Sequence, residues 1–217
     1  MKSEHHPPAE PPISSRDKIL DAASRAFAEE GFAGARVDEI ALQAGVNKAL
    51  LYYHVGNKQE LYTAVLTRNF DRMEAVLAEV LDSDGSASER LRALIIAVNR
   101  MLKNLPDHSR IVLREFASAG NHLQPEILER MVRIIGTVRG LLAEGVQEGE
   151  FRSTNKVMTH LTLIGASLVL NSLGPLRDRV AELGPGLGLP DKNQDIGEFL
   201  ADLLLNGITN PAPGESP

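Results

Sequence analysis

Lys48, Ala49 and Tyr52, flanked by Asn47, Tyr53 and His54, are the residues of this chain whose types and spacing best suit a shared chemical task. That task is recognition, not bond making. An ammonium such as Lys48 can meet a guanine edge or a phosphate. The phenol of Tyr52 can offer ring surface and hydroxyl to a base or sugar, while Tyr53 and His54 suit backbone oxygens. His54 can donate to phosphate whether neutral or charged. Asn47 has two candidate roles, capping the helix that carries the others or touching nucleic acid itself, and helix-start preference favours the cap.

Presenting these side chains together takes a short, firmly anchored helix. The stretch ARVDEIALQAGVNKALLYYHVGNKQEL, from Ala35 to Leu61, has the spacing of a helix-turn-helix. Ile40 and Ala41 fall on a first helix, Ala44-Gly45-Val46 make the turn, and Leu51 and Val55 anchor a second helix. Gly45 sits where a tight turn asks for positive φ, which glycine accepts without a Cβ clash. With Leu51 and Val55 inward and one turn apart, Lys48, Ala49 and Tyr52 face outward. Lys58 opens the next helix, where free backbone N–H groups and the positive dipole end also favour phosphate. A DNA-binding regulator is the expectation.

The whole chain bounds this expectation. Its 217 residues are 43% hydrophobic but only 4% aromatic, with no Trp, which suits aliphatic helix packing in one medium domain or a small one joined to a larger one. The lack of cysteine excludes a disulfide framework, a thiolate zinc site and a cysteine nucleophile. MKSEHHPPAEPP at the N-terminus has no apolar stretch to act as a signal peptide. No apolar run approaches the roughly 20 residues needed to cross a bilayer, so a cytoplasmic protein is expected. A net charge of −6 would argue against nucleic acid if it were spread evenly. From Ser14 to Lys58, however, six Lys/Arg balance six Asp/Glu, whereas Gln59 to Pro217 holds 16 against 21. Lys48 to Lys58 contains no acid at all, so a local basic footprint on an acidic body is expected.

The pattern is all-α, with no strand alternation and no internal repeat. A helix from about Arg16 to Glu30, capped by Ser14 or Ser15 and ended by Gly31, carries Ile19, Leu20, Ala23 and Phe27 on its apolar stripe. Asn57 to Glu60 forms a capping box for a helix reaching about Leu81, and Ser86 with Glu89 a second box for a helix that ends beyond Met101 and Leu102. A shorter helix is expected from about His108 to Ser118. A long one follows from Pro125 to near Gly149, whose Gly136, Gly140 and Gly145 imply close packing. Asn155 to Ser172 is apolar nearly all round and must be covered on more than one side. A Gly/Pro-rich connection with room for a short helix leads to an amphipathic helix from about Lys192 to Gly207.

Helix one with Ile19-Leu20-Asp21-Ala22-Ala23 and Phe27, the Gly31 stop, Val37-x-x-Ile40-Ala41, Ala44-Gly45-Val46, Leu51-Tyr52-Tyr53-His54-Val55 and Lys58-x-x-Leu61 together resemble the TetR family of bacterial transcriptional regulators. The likeness is carried by roughly the first 50 structured residues. It implies an N-terminal three-helix DNA-binding domain, a C-terminal ligand-binding and dimerisation bundle, and a homodimeric repressor of palindromic operators released by a small molecule. The division expected on this basis is a disordered tail over 1–13, the DNA-binding domain over 14–60, the ligand-binding and dimerisation domain over 61–209, and a second disordered tail over 210–217. The 155–172 and 192–207 helices are the expected dimer surface, unless the former is simply the core helix. Two positions depart from the family pattern. Arg36 stands where a capping Thr or Ser is common; it cannot cap in the ordinary way, but its guanidinium can grip a phosphate bidentately. Leu50 replaces a small or hydroxylated residue, and either touches a thymine methyl or packs inward.

For the regulatory half the only handles are polar residues within apolar helices. His160, Ser167 and Asn171 lie near one face of the 155–172 helix; His108, Arg114, Glu115 and His122 cluster on or beside the short sixth helix. A cavity bearing Met101 and a few such groups would take an amphipathic organic molecule. The plainer alternative for each is a satisfied polar residue at a subunit seam or the surface. His108, Glu115 and His122 lack metal-ligand spacing, so no metal or cofactor is expected. Nothing pairs acids, or a nucleophile with a base, so an enzyme is not expected. The remaining rival is a ligand-insensitive architectural DNA binder, or an interaction module that uses the helices for protein contact.

Overall fold

The Ser14 side chain accepts a hydrogen bond from the Asp17 N–H and so starts α1, Ser15–Gly34. Residues 14–184 and 194–210 are described by the computed structural model, and among them ten helices follow one another. Gly31, at φ 75°, leaves the helical conformation as its position implied, but the chain then makes one further turn to Gly34 before α2, Val37–Gln43. Gly45 takes φ 69° in the turn to α3, Lys48–Val55, in which Leu51 is fully buried and Val55 nearly so. The Asn57–Glu60 capping box opens α4, Lys58–Leu81.

One apolar core joins the stripe of α1 to Ile40, Ala41, Leu51 and Val55, and also takes in Leu61, Tyr62, Val65 and Leu66 from α4. A second core begins further along the same helix with Met73, Leu77 and Val80. The first turns of α4 thus belong to the head, and the remainder to the body. One rigid rod runs through both.

The body comprises α5 (Ala87–Asn104), α6 (Pro106–Ala117), α7 (Pro125–Gln147), α8 (Lys156–Ser172), α9 (Gly174–Leu183) and α10 (Ile196–Ile208). α5, started by the Ser86–Glu89 box, is central, with α4, α6, α7, α8 and α10 packed around it. α6 starts two residues earlier than its apolar pattern implied because Pro106 occupies its first turn. α10 starts at Ile196, where the Asp195 carboxylate caps the Gly197 and Glu198 N–H groups; Lys192, the expected start, lies outside the described residues. The two expected tails lie outside them as well, except Asn210, which is fastened to the body through the Glu150 and Gly149 carbonyls. No single described helix is long and apolar enough to cross a membrane.

Of the three glycines in α7, only Gly145 is closely packed. A Cβ there would collide with the Phe151 ring and press on Ala87, while Gly136 and Gly140 have no described neighbour within 4 Å. Gly145→Ala is expected to destabilise the body by about 2 kcal/mol, as overpacking of a filled core does, and Gly136→Ala to be neutral or stabilising. Urea denaturation of the two variants checks the contrast.

Candidate nucleic-acid interface and the buried cavity

Asn47 caps α3, its Oδ1 accepting the Leu50 N–H at 2.7 Å. Leu51 and Val55 hold the helix from below, and the opposite side is open: Lys48, Ala49, Tyr52 and Tyr53 are exposed, with Leu50 and His54 half-buried. Tyr52 is 41% accessible and Tyr53 84%, so neither is a core residue. The His54 ring stands edge-on to Tyr53. Arg36 begins α2 with its guanidinium exposed, 3.6 Å from Glu39, and makes no cap.

Two cations are engaged in ways that linear spacing does not reveal. Lys48 Nζ lies 2.6 Å from Asp38 Oδ1 and 5.9 Å from the centre of the Tyr52 ring. The hydrogen bond that Lys48 donates to Asp38 holds the ammonium above its ordinary pKa, so it is fully charged. The acid-free run from Lys48 to Lys58 therefore meets a carboxylate from α2 in space. Lys58 turns inward, Nζ donating to the Ala33 carbonyl at 3.2 Å and resting 5.0 Å from the Phe32 ring centre. The end of α1 draws it there, since unpaired carbonyls at a helix C-terminus attract a cation. The N–H groups at the start of α4 are less free than expected, because Asn57 already accepts those of Gln59 and Glu60.

Within the second core, α4 to α8 line a cavity of about 150 Å³ that is partly open to the surface beside Phe116 and Leu161. Its wall is aliphatic and aromatic, with five polar side chains: Asn69 from α4, Asn99 from α5, His108 from α6, and His160 and Ser167 from α8. Asn99 is occupied, donating to the Ile95 carbonyl and to Ser167 Oγ and accepting from Asn171. The Nδ1 atoms of His108 and His160 are buried without a partner among the described residues.

α6 faces two ways. His108, Val112 and Phe116, four residues apart, line the cavity. Its other side holds the head. Arg114 donates to the Ala28 and Glu29 carbonyls, 3.1 and 2.7 Å away, beside the break that Gly31 makes in α1. Buried Glu115 accepts the Tyr62 hydroxyl of α4 at 2.7 Å and lies 3.1 Å from His122 Nδ1. Burial, and then the Glu115 hydrogen bond and charge, raise the Tyr62 pKa and keep the hydroxyl protonated. The Gln59 side chain donates to the His122 carbonyl, and around this junction Tyr62 meets Phe27 and Phe32 edge to face while Phe32 lies tilted against the His122 ring.

Comparison with known proteins matches these two parts separately. The profile of bacterial regulatory proteins of the tetR family matches residues 19–65, and the tetracyclin repressor-like C-terminal domain matches residues 84–170. The chain belongs to the TetR family. This regulator is 26% identical to the HTH-type transcriptional repressor NicS of Pseudomonas putida over 196 residues, covering 89% of the chain and 92% of the relative. In fold it is similar to the ketosteroid transcriptional regulator KstR2 of Mycobacterium tuberculosis (TM-score 0.75, 24% identity, 94% and 99% of the two chains). It is also similar to the Bacillus subtilis regulator FadR solved with stearoyl-CoA (TM-score 0.68, 21% identity, 88% and 98% covered). It is thus a DNA-binding transcriptional regulator of a non-enzymatic family.

Of the polar residues singled out in this regulator's body, His108, His160 and Ser167 face the cavity, and Asn171 stands behind it on Asn99. Arg114, Glu115 and His122 sit instead at the head–body junction, because α6 turns them away from the cavity. Met101 packs half-buried against the body core and is not on the cavity wall. Asn69 and Asn99 went unnoticed in the sequence; a polar side chain within the apolar stripes of α4 and α5 was the available signal.

The buried histidines set a pH dependence. Burial, and then the charge of Arg72, push the His108 pKa from 6.5 down to about 4, and burial lowers that of His160. The unfolded chain binds these protons more readily than the folded one, so stability is complete above about pH 6.5 and is lost as the pH falls towards 4. We expect His108 to account for about 3 kcal/mol of that loss. His108→Leu should flatten the slope of unfolding free energy against pH.

Proposed function

We propose that this regulator is a homodimeric repressor of palindromic operators, released when a small molecule occupies the α4–α8 cavity. The observation that carries the proposal is that α4 and α6 each touch both the cavity and the head. Asn69, Phe70 and Met73 of α4 line the cavity, while Leu61, Tyr62 and Val65 of the same helix belong to the head core. A ligand that prefers a body conformation with displaced α6 would pull on the Arg114 and Glu115 contacts and so move α3. It can lower operator affinity only by its own preference between the two states, typically about 1–3 kcal/mol.

For the DNA contacts we assign Lys48, Ala49, Leu50 and Tyr52 to the groove, with Arg36, Asn47, Tyr53, His54 and Lys58 beside it on the phosphates. Lys48 must exchange Asp38 for DNA, and Lys58 must leave Ala33. One such helix is a small footprint; two of them, about 34 Å apart in successive major grooves, would confer selectivity. The dimer face we assign to α8 and α10, which pack side by side. α8 leaves Val157, Met158, Leu161 and Val169 exposed, and α10 leaves Phe199 and Leu203. Exposed apolar side chains gathered on two neighbouring helices suit a contact between subunits.

Fluorescence anisotropy with DNA flanking the gene tests the proposal, alongside light scattering. A dimer should prefer an inverted repeat over random duplex by about 10³ or more at matched salt. A cavity ligand should weaken that binding by about 5–150-fold. Equal affinity for random DNA would make it an architectural binder, and a strict monomer would refute the palindrome.

A further inference from the structure

We propose that the cavity accepts a compact, uncharged molecule about the size of one ring, bearing a carbonyl or hydroxyl oxygen that is held by His108 and His160. The inference rests on the effector role proposed for the cavity and specifies its chemistry. Size comes first: at about 150 Å³ the space matches engineered protein cavities that take up benzene, and a long acyl chain exceeds it. Charge comes second. None of the described lining residues is Asp, Glu, Lys or Arg, and Arg72 acts on His108 without being part of the wall. A carboxylate entering here would lose its water and find no fixed counter-charge. Burial lowers the pKa of both imidazoles, which disfavours their becoming cationic to receive it.

Polarity comes third. His108 and His160 come from different helices, line the cavity and are each more than nine-tenths buried, and neither ring has a hydrogen-bond partner among the described residues. A neutral imidazole offers one donor and one acceptor, so a ketone oxygen can accept from a ring nitrogen that carries its proton, and an alcohol can pair with either nitrogen. Asn99 cannot take this role, because its amide is already spent on Ile95, Ser167 and Asn171.

Three probes of nearly one shape separate these terms on the full-length protein by calorimetry: acetophenone, α-methylstyrene and benzoate. Acetophenone should bind best. α-Methylstyrene, which lacks only the oxygen, should bind about tenfold more weakly. Benzoate, which differs mainly in its charge, should bind at least about 100-fold more weakly. His108→Phe and His160→Phe, checked for folding by circular dichroism, should each reduce the advantage of acetophenone over α-methylstyrene; either folded variant suffices. Benzoate, or stearate as a fourth probe for the size limit, binding as tightly as acetophenone, no advantage of ketone over alkene, or no binding of any probe would overturn the proposal. If acetophenone binds as expected but leaves operator affinity unchanged, the cavity chemistry stands and the release mechanism fails.

Discussion

Tyr52→Ala is expected to lower affinity for the inverted-repeat operator about 100-fold while leaving binding to random duplex within a factor of about three. The size follows from symmetry: base-edge contacts are worth roughly 1–3 kcal/mol each, and a dimer loses the contact twice. The substitution leaves α3 in place, because Leu51 and Val55 hold it from the opposite side and Asn47 caps it. Tyr53→Ala, assigned to the backbone, should reduce both affinities by a similar small factor. Lys48→Ala lies between, since removing the lysine also unmasks the Asp38 carboxylate towards DNA. Anisotropy titrations at two salt concentrations measure all three variants. Unchanged operator affinity for Tyr52→Ala would move the contact surface elsewhere on the head.

The second large effect concerns the junction. Glu115→Ala should destabilise the protein by about 3 kcal/mol, since removing one member of a buried polar cluster strands the others. The Tyr62 hydroxyl would be left buried beside a void, and His122 would lose its acceptor. Glu115→Gln keeps an acceptor for Tyr62 and should cost less. Beyond stability, such variants should uncouple the two halves. Arg114→Ala removes both hydrogen bonds to the end of α1, and it should leave operator affinity nearly intact while shrinking the response to a cavity ligand. Denaturation curves and ligand-dependent operator binding separate the two effects. A full ligand response in a folded Arg114→Ala protein would mean that α4 alone carries the signal.

Local chemistry made the recognition helix legible. The Asn47 cap, the positive φ of Gly45 and the one-turn spacing of Leu51 and Val55 act within a few residues of one another, so their order along the chain is enough to imply their geometry. The capping boxes at Asn57 and Ser86 and the proline start of α7 were legible for the same reason. The glycines of α7 were not: their spacing is regular, but only Gly145 meets a neighbour, and that neighbour, Phe151, arrives through a turn after the helix.

What the sequence by itself determined, then, was the helical architecture, the helix-turn-helix and the face it presents, because caps, turns and periodicity are short-range forces. Tertiary structure alone decided which polar side chains of the body share a space. α6 sends His108 to the cavity and Arg114 and Glu115 to the head, an assignment set by the angle at which it packs between α1, α5 and α8. Asp38 reaching Lys48 and Ala33 drawing Lys58 inward were decided the same way. Electrostatic partners are chosen by distance in space, and the chain brings such groups together only when its helices pack.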